Sequence, residues 1–363
     1  MLPRRLGQRR GISAVAIAAL AGAGFSGCTN HARESGSARG SSQIALRIRA
    51  HPVAAAQNGP FVALVPEAAT PKPVLVVDLR TGRRIRLART RAEYEQPAAV
   101  AGSTVIWLED VGANEQTLTL RAAAPRHGRR LARWLTPAYQ WTPDAPFGGV
   151  AAVGRHLVYS LFFARYGDSD ACIDTGACRA YVRGGGTFLV SPQSLTTRRI
   201  LPPARAVAVD RDHVAAAVVR RGALYTGKAQ IVVLDLATGA RRSVGAPTWS
   251  DELGLDRNLV VGITHRTAQT VVRLWNIRTG SLVKTLRFRL FGRGPATVFG
   301  PRLLAVDSHA VFAVDLRTGR RRVISGVNGV DAYPFGPWVW RHRVYWLERY
   351  NGFSQLRSAP LPP

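Results

Sequence analysis

No stretch of the 363-residue sequence is apolar for long enough to cross a bilayer comfortably. A spanning helix needs about 20 such residues, and residues 11–25 (GISAVAIAALAGAGF) stop short of that. Catalytic signatures are missing as well. There is no H-E-x-x-H, no G-x-S-x-G elbow and no P-loop, and the eight histidines are scattered along the chain. No catalytic residue is assigned on this basis, although a triad assembled from distant segments stays open. Cysteine is limited to Cys28, Cys172 and Cys178, and lysine to Lys72, Lys228 and Lys284.

Acidic residues are also few, 22 against 50 bases, for a net charge of +28 carried almost wholly by arginine. Such a charge favours anionic partners such as lipid headgroups, acidic wall polymers or nucleic acid. A second reading stays open beside it: arginine in place of lysine, with abundant alanine, also fits a GC-rich codon choice and a merely solvated surface. Gly (35) and Pro (22) are plentiful, as many short strands joined by tight turns require.

The N-terminus is built like an export signal. Residues 2–10 (LPRRLGQRR) are basic and residues 11–25 have the length of a signal-peptide apolar region. The run ends in Phe25-Ser26-Gly27-Cys28, which resembles the lipobox of bacterial lipoproteins, with Phe25 where leucine is usual. The resemblance implies cleavage after residue 27 and diacylglyceryl transfer to the Cys28 thiol. Two acyl chains suffice for stable anchoring. Loss of residues 1–27 leaves 46 bases against 22 acids, a net +24. Residues 28–41 then hold the lipidated cysteine and a polar, Ser/Gly-rich tether. As a random coil such a tether spans roughly 20 Å.

Self-similarity dominates the remainder, residues 42–363. Five segments align: VLVVDLRTGRRIRL (74–87), FLVSPQSLTTRRI (188–200), IVVLDLATGARRSV (231–244), VVRLWNIRTGSLVKTL (271–286) and VFAVDLRTGRRRVI (311–324). A degenerate sixth is residues 116–135. Each is a β-branched strand, a polar turn and a second strand. Asp78, Asp235, Asn276 and Asp315 suit capping of turn N–H groups, and the glycine four residues on suits positive φ. The turn positions Gly82, Gly128, Thr197, Gly239, Gly280 and Gly319 recur at the period of a four-stranded propeller blade, apart from one interval of 69 residues.

A strand pair precedes each of the later hairpins, which makes four strands per unit. The last unit, from residue 337, supplies only three strands, and residues 43–50 (QIALRIRA) are the spare strand that closes the ring. The expected fold is therefore all-β: a seven-bladed propeller of four-stranded blades, closed by an N-terminal strand. The repeats resemble WD40-type, YVTN-type and TolB-like propellers, LWNIRTGSLVKTL most closely the WD40 pattern. The resemblance implies architecture and leaves function open, because propellers host unrelated activities. A quinone cofactor is not expected, since the docking Trp of quinoprotein repeats is replaced by RIRL, RSV and RVI. Trp107, Trp338, Trp340 and Trp346 fall in strands and are read as packing.

The long interval marks an insertion at residues 164–186 (ARYGDSDACIDTGACRAYVRGGG) in the third blade. In an exported chain Cys172 and Cys178 suggest a disulfide closing a small loop, worth on the order of 2 kcal/mol, with reduced thiols as the alternative. Asp168, Asp170 and Asp174 alternate as calcium ligands can, but the EF-hand spacing and closing Glu are absent, so no metal is assigned. With Tyr166 and Tyr181 beside them these aspartates are the candidate partner contact.

A basic rim is the second candidate: Arg83, Arg84, Arg129, Arg130, Arg198, Arg199, Arg241, Arg242 and Arg320, Arg321, Arg322 follow successive outer-hairpin turns. The resulting expectation is a monomeric binding or scaffold propeller. It is anchored through Cys28 at the outer face of the cytoplasmic membrane or in the envelope, has no cofactor, and engages a protein or anionic envelope polymer rather than nucleic acid. The competing expectation is a hydrolase or lyase using the central channel.

Overall fold

The computed structural model describes residues 42–49, 51–67, 71–91, 98–111, 116–136, 147–166, 180–219, 229–248, 252–265, 269–288, 296–306, 309–328 and 335–362. Among them there is no helix. Seven four-stranded antiparallel sheets account for the regular structure. Six are contiguous: blade 1 (52–90), blade 2 (98–136), blade 3 (147–201), blade 4 (204–248), blade 5 (252–288) and blade 6 (296–326). The seventh pairs Phe335–Trp340, Arg343–Tyr350 and Phe353–Pro360 with the N-terminal strand Gln43–Ile48, which lies against Phe353–Pro360.

Burial explains the strand composition. Second strands are sandwiched between neighbouring blades and are apolar on both faces: Phe61–Pro66 is buried from Val62 to Pro66. Outer strands meet solvent at the perimeter, so the three arginines of Arg84–Thr90 (RIRLART) are exposed. Seven core clusters each join two consecutive blades. Val76 and Trp107 meet between blades 1 and 2, Val158 and Val214 between 3 and 4, and Val344 and Leu304 between 6 and 7. The seventh, with Val62 and Leu64 against Leu347 and Leu356, joins blade 7 to blade 1 and closes the ring. The inner strands approach closely enough that a Cβ on Gly148 of blade 3 would lie 1.6 Å from the Ala204 carbonyl oxygen of blade 4.

Two turns differ from the sequence-based expectation. Gly128 is no turn residue. Blade 2 reverses in the two residues Pro125 and Arg126, where Arg126 takes φ 77°, and Gly128 already lies in the strand His127–Thr136. With Pro fixing the first turn position, the second carries the positive φ. In blade 3 the left-handed residue is Leu195 (φ 55°), while Thr197 opens the strand Thr197–Leu201. The Leu195 side chain is fully buried in the cluster shared with blade 2, so packing offsets the backbone penalty. The insertion in blade 3 is partly regular: its second and third strands, His156–Tyr166 and Ala180–Val190, run 11 residues each.

Two buried carboxylates stand out in this apolar frame. Glu109 accepts from Thr90 Oγ1 at 3.0 Å and the Arg91 amide at 2.6 Å, and pairs with Arg121. Trp107 Nε1 donates to the same Thr90 hydroxyl at 3.1 Å. Glu348 accepts from Trp346 Nε1 at 2.6 Å and from the Tyr350 hydroxyl, with Arg357 3.8 Å away. Both are Trp-Leu-Glu on a second strand, with an arginine of the third strand paired in register opposite the Trp: Arg121 to Trp107 and Arg357 to Trp346.

Candidate functional site

In a four-stranded antiparallel blade the first and last hairpin turns share one end of the sheet. The middle connection and the link to the next blade share the other. All inner-hairpin and outer-hairpin turns of the ring therefore lie on one face, the turn face.

The outer turns are held by side-chain capping. Asp235 Oδ1 accepts the Ala237 and Thr238 amides at 2.9 and 2.8 Å, and Asp315 Oδ1 those of Arg317 and Thr318 at 2.8 and 2.7 Å. In blade 5 Asn276 Oδ1 accepts the Thr279 amide at 3.0 Å. The glycine amide returns to the same residue's carbonyl at 2.7–2.9 Å in these turns and in blade 1. The residue after the cap then donates to the inner turn of its own blade: Leu236 to Asp212, Ile277 to Asn258 and Leu316 to Pro301, at 2.7–2.8 Å. These aspartates are thus occupied as turn caps.

Their acidity follows. Hydrogen bonds from Thr238 hold Asp235 below the ordinary carboxylate range, those from Thr318 do the same for Asp315, and the Arg80 guanidinium lowers Asp78. A depressed folded-state pKa adds stability above the ordinary carboxylate pKa, and that stability is lost as pH falls through the folded value. Asparagine keeps the acceptor and does not titrate in this range. The double variant Asp235→Asn/Asp315→Asn is therefore expected to keep the fold while flattening the acid limb of a thermal-stability profile between about pH 5 and pH 2. An unchanged limb would show that these caps do not contribute to acid unfolding.

Every residue of the expected basic rim sits in or just after an outer turn and is exposed. Arg83 and Arg84 belong to blade 1, Arg129 and Arg130 to blade 2, Arg198 and Arg199 to blade 3, Arg241 and Arg242 to blade 4, and Arg320, Arg321 and Arg322 to blade 6. Some also hold neighbours together. Arg129 Nη1 donates to the Leu195 carbonyl of blade 3 at 3.3 Å, Arg241 Nη2 donates to that of Ile200 at 3.0 Å, and Arg321 lies 4.0 Å from the Phe312 ring centroid.

The second candidate group is distant from this rim. Tyr166 and Tyr181 lie at the far end of the blade 3 hairpin, opposite Ala180 and Arg165 in register, on the face away from the turns. Asp168, Asp170, Asp174, Cys172 and Cys178 fall in residues 167–179, outside the described residues, as does Cys28.

Sequence reading left the central channel open as an alternative site but named no residue of its mouth on the turn face. Inner strands end there at Asn58, Val153, Val209, Asp256, Phe299 and Trp340. Asn58 reaches past its own blade: its Nδ2 donates to Val100 O of blade 2 at 2.9 Å and Gly154 O of blade 3 at 3.2 Å, and its Oδ1 accepts the Gly154 amide at 3.2 Å. Burial pushes the Asp256 carboxyl up and nearby Asp210 adds to this, while Arg257 and the Gly300 amide oppose it. Asp210 accepts the Asp212 and His213 amides at 2.7 and 2.6 Å, with His213 Nδ1 3.4 Å away. Arg341 lies 4.8 Å from the Trp340 ring centroid. Outside the mouth, the turns of blades 2 and 3 enclose two shallow hollows of about 420 and 430 Å³ that share Arg155 and Pro192. Among the described residues no group of three or more His, Cys, Asp or Glu side chains is placed to hold a metal ion. The signal for the mouth was the inner-turn sequence, Asp210-Arg211-Asp212 and Asp256-Arg257-Asn258, which reads as ordinary turn chemistry until the ring brings the two together.

No protein-family model and no curated protein matches the chain. Among solved structures it is similar to BamB from Moraxella catarrhalis (16% identity, TM-score 0.45, covering 85% of each chain). It is also similar to oligogalacturonate lyase from Vibrio parahaemolyticus (8%, 0.49, covering 88% of this chain and 93% of that one). A third is the WD40 domain of coronin from Toxoplasma gondii (10%, 0.45, covering 90% and 85%).

Proposed function

We propose that the chain is an exported, lipid-anchored binding propeller that engages an anionic envelope partner, protein or polymer, with its turn face. The observation that carries this reading is the placement of paired or tripled exposed arginines at the outer turns of blades 1, 2, 3, 4 and 6, all on one face. In blades 1, 4 and 6 capping and the ties to the inner turns hold the turn backbone in place, so little backbone entropy is lost there when a partner binds. Export and anchoring rest on residues 1–28, with Cys28 as the lipid-bearing residue and Cys172–Cys178 as a bridge. Intact-mass analysis of the membrane fraction is expected to show a chain that starts at Cys28, carries acyl chains and lacks two thiol hydrogens. A secreted product starting elsewhere would overturn the anchor.

The rim has its own test. Arg83, Arg84, Arg198 and Arg199 are replaced together by glutamine, sparing Arg129 and Arg241, which bridge blades. A base near an anionic surface contributes about 1 kcal/mol and fades within a Debye length of ~8–10 Å. With four bases removed, binding of an anionic polymer is therefore expected to weaken by up to about a thousandfold at low salt, with a shallower salt dependence. Binding that ignores these substitutions would reduce the rim to a solubilising surface.

One observation favours a second reading, a hydrolase or lyase at the channel mouth: the Asp256 carboxyl, at the end of an inner strand, is raised by burial, and the charge of Asp210 on the adjacent blade adds to this. Under that reading the full chain cleaves an envelope polysaccharide and Asp256→Asn abolishes the cleavage. Turnover unaffected by that substitution would exclude Asp256 as its acid or base.

A further inference from the structure

Seven large apolar side chains are exposed among the described residues, and four of them cluster by position. Leu282 (53% exposed) and Val283 (57%) lie on the outermost strand of blade 5, Val323 on that of blade 6 and Ile44 on that of blade 7. Each is among the first three residues of its strand, so all four lie at the turn-face end of three consecutive blades. Register makes Leu282 an exchange for rim charge, while Val283 falls at the bulge beside it and Lys284 pairs with Leu274. Leu282 pairs with Trp275, the residue before the capping Asn276; in the same position Arg84 pairs with Val77, Arg241 with Leu234 and Arg321 with Val314. Blade 5 thus carries an aliphatic side chain where its neighbours, blades 4 and 6, carry arginine.

We propose that the turn-face rim of blades 5 to 7 seats on an anionic lipid bilayer. Leu282 and Val283 enter the boundary between headgroups and acyl chains, and Arg242, Arg320 and Arg322 lie at headgroup phosphates. This deepens, and rests on, the reading of the turn face as the binding face. Three observations select a bilayer as the occupant. Aliphatic side chains flanked by bases are what interfacial insertion uses, each part adding to the other. A protein interface draws its energy from Trp, Tyr and Arg anchors, with Leu and Val under-represented, and the exposed cluster here is aliphatic. Finally, the chain enters the propeller in this sector and on this face. Gln43 opens the outer strand of blade 7 opposite Ser358, and Arg343 Nη2 donates to its Oε1 at 3.1 Å near the inner turn. That strand runs from the turn face outward to the opposite face, so the described chain begins, at Ser42, at the turn-face end of blade 7.

The test uses the full chain as isolated, held on phosphatidylcholine vesicles with or without about one-third phosphatidylglycerol. Hydrogen exchange of residues 278–288 is the readout, because it is specific to the seat and insensitive to how the chain is otherwise attached. On anionic vesicles these amides are expected to exchange about tenfold more slowly than on neutral ones, and Leu282→Ser/Val283→Ser is expected to remove that difference. Equal exchange on the two vesicle types, or protection that survives the double substitution, would overturn the proposal. Soluble polyphosphate separates the two levels. If it protects the outer turns of blades 1 to 4 while anionic vesicles leave 278–288 unchanged, the turn face binds anions and the bilayer seat is wrong. If neither probe protects any turn, both fail.

Discussion

Deleting residues 43–49 is expected to lower the midpoint of thermal unfolding by on the order of 10 °C and to make the protein self-associate. The deleted strand is itself mostly exposed, so the effect comes from what it covers. Leu356 and Ala359 on the adjacent strand are fully buried, and Leu46 and Ile48 pack on the cluster that joins blade 7 to blade 1. Uncovering the two apolar side chains of the strand and those beneath it costs roughly 2 kcal/mol per large side chain. The ladder to Ser354, Gln355, Leu356, Arg357 and Ser358 is lost with it. Arg357 also loses the bond from its Nε to Ser42 Oγ at 3.2 Å, and Arg343 its bond to Gln43. Phe353–Pro360 then becomes an unpaired edge with its backbone groups facing water, the arrangement that recruits another chain. Calorimetry with size-exclusion chromatography reads both effects. An unchanged midpoint and a monomeric elution would mean that the ring holds without its closing strand.

The closure was legible in the sequence because a count exposed it: six complete outer hairpins, a last unit of three strands, and one spare strand at the other end. The turn caps were legible for a related reason, since Asp-x-x-Thr-Gly encodes a local geometry that side-chain chemistry dictates. Blades 2 and 3 were misread where local chemistry was overridden. Gly128 looked like the required glycine, but Pro125 had already placed the reversal two residues earlier. Leu195 takes the left-handed conformation because its side chain fills the core between blades 2 and 3, a contact that no local motif encodes.

The candidate sites divide in the same way. Rim arginines could be placed on one face from topology alone, since equivalent turns of a ring must coincide. The aliphatic substitution at Leu282 was visible in the alignment but meaningless until exposure was known. The channel mouth required the assembled blades, because Asp210 and Asp256 interact across the boundary of blades 4 and 5, and Asn58 contacts Gly154 nearly a hundred residues away.

The buried carboxylates went unread for a physical reason. Trp107 and Glu109, like Trp346 and Glu348, are two residues apart and so share one face of a strand. Alternation reads a glutamate there as a surface residue, while its neighbours read as core. The structure buries both, and their surroundings predict unequal costs of removal. Glu348 is almost fully buried, and Arg357 beside it has only 16% of its side chain exposed. Glu348→Ala leaves a buried indole N–H, a tyrosine hydroxyl and a largely buried guanidinium without their shared acceptor. Breaking a buried charged pair from one side costs about 3–5 kcal/mol. Arg121, the partner of Glu109, has 41% of its side chain exposed and can turn to water. Glu109→Ala is therefore expected to cost less, about 2 kcal/mol, mostly from the acceptor it removes from the Thr90 hydroxyl and the Arg91 amide. Glutamine at either position keeps an acceptor and should recover part of the loss. Chemical denaturation of the four variants measures the ordering. Equal losses at the two sites would show that burial of the arginine partner does not set the cost, and a smaller loss at Glu348 than at Glu109 would overturn the desolvation argument altogether.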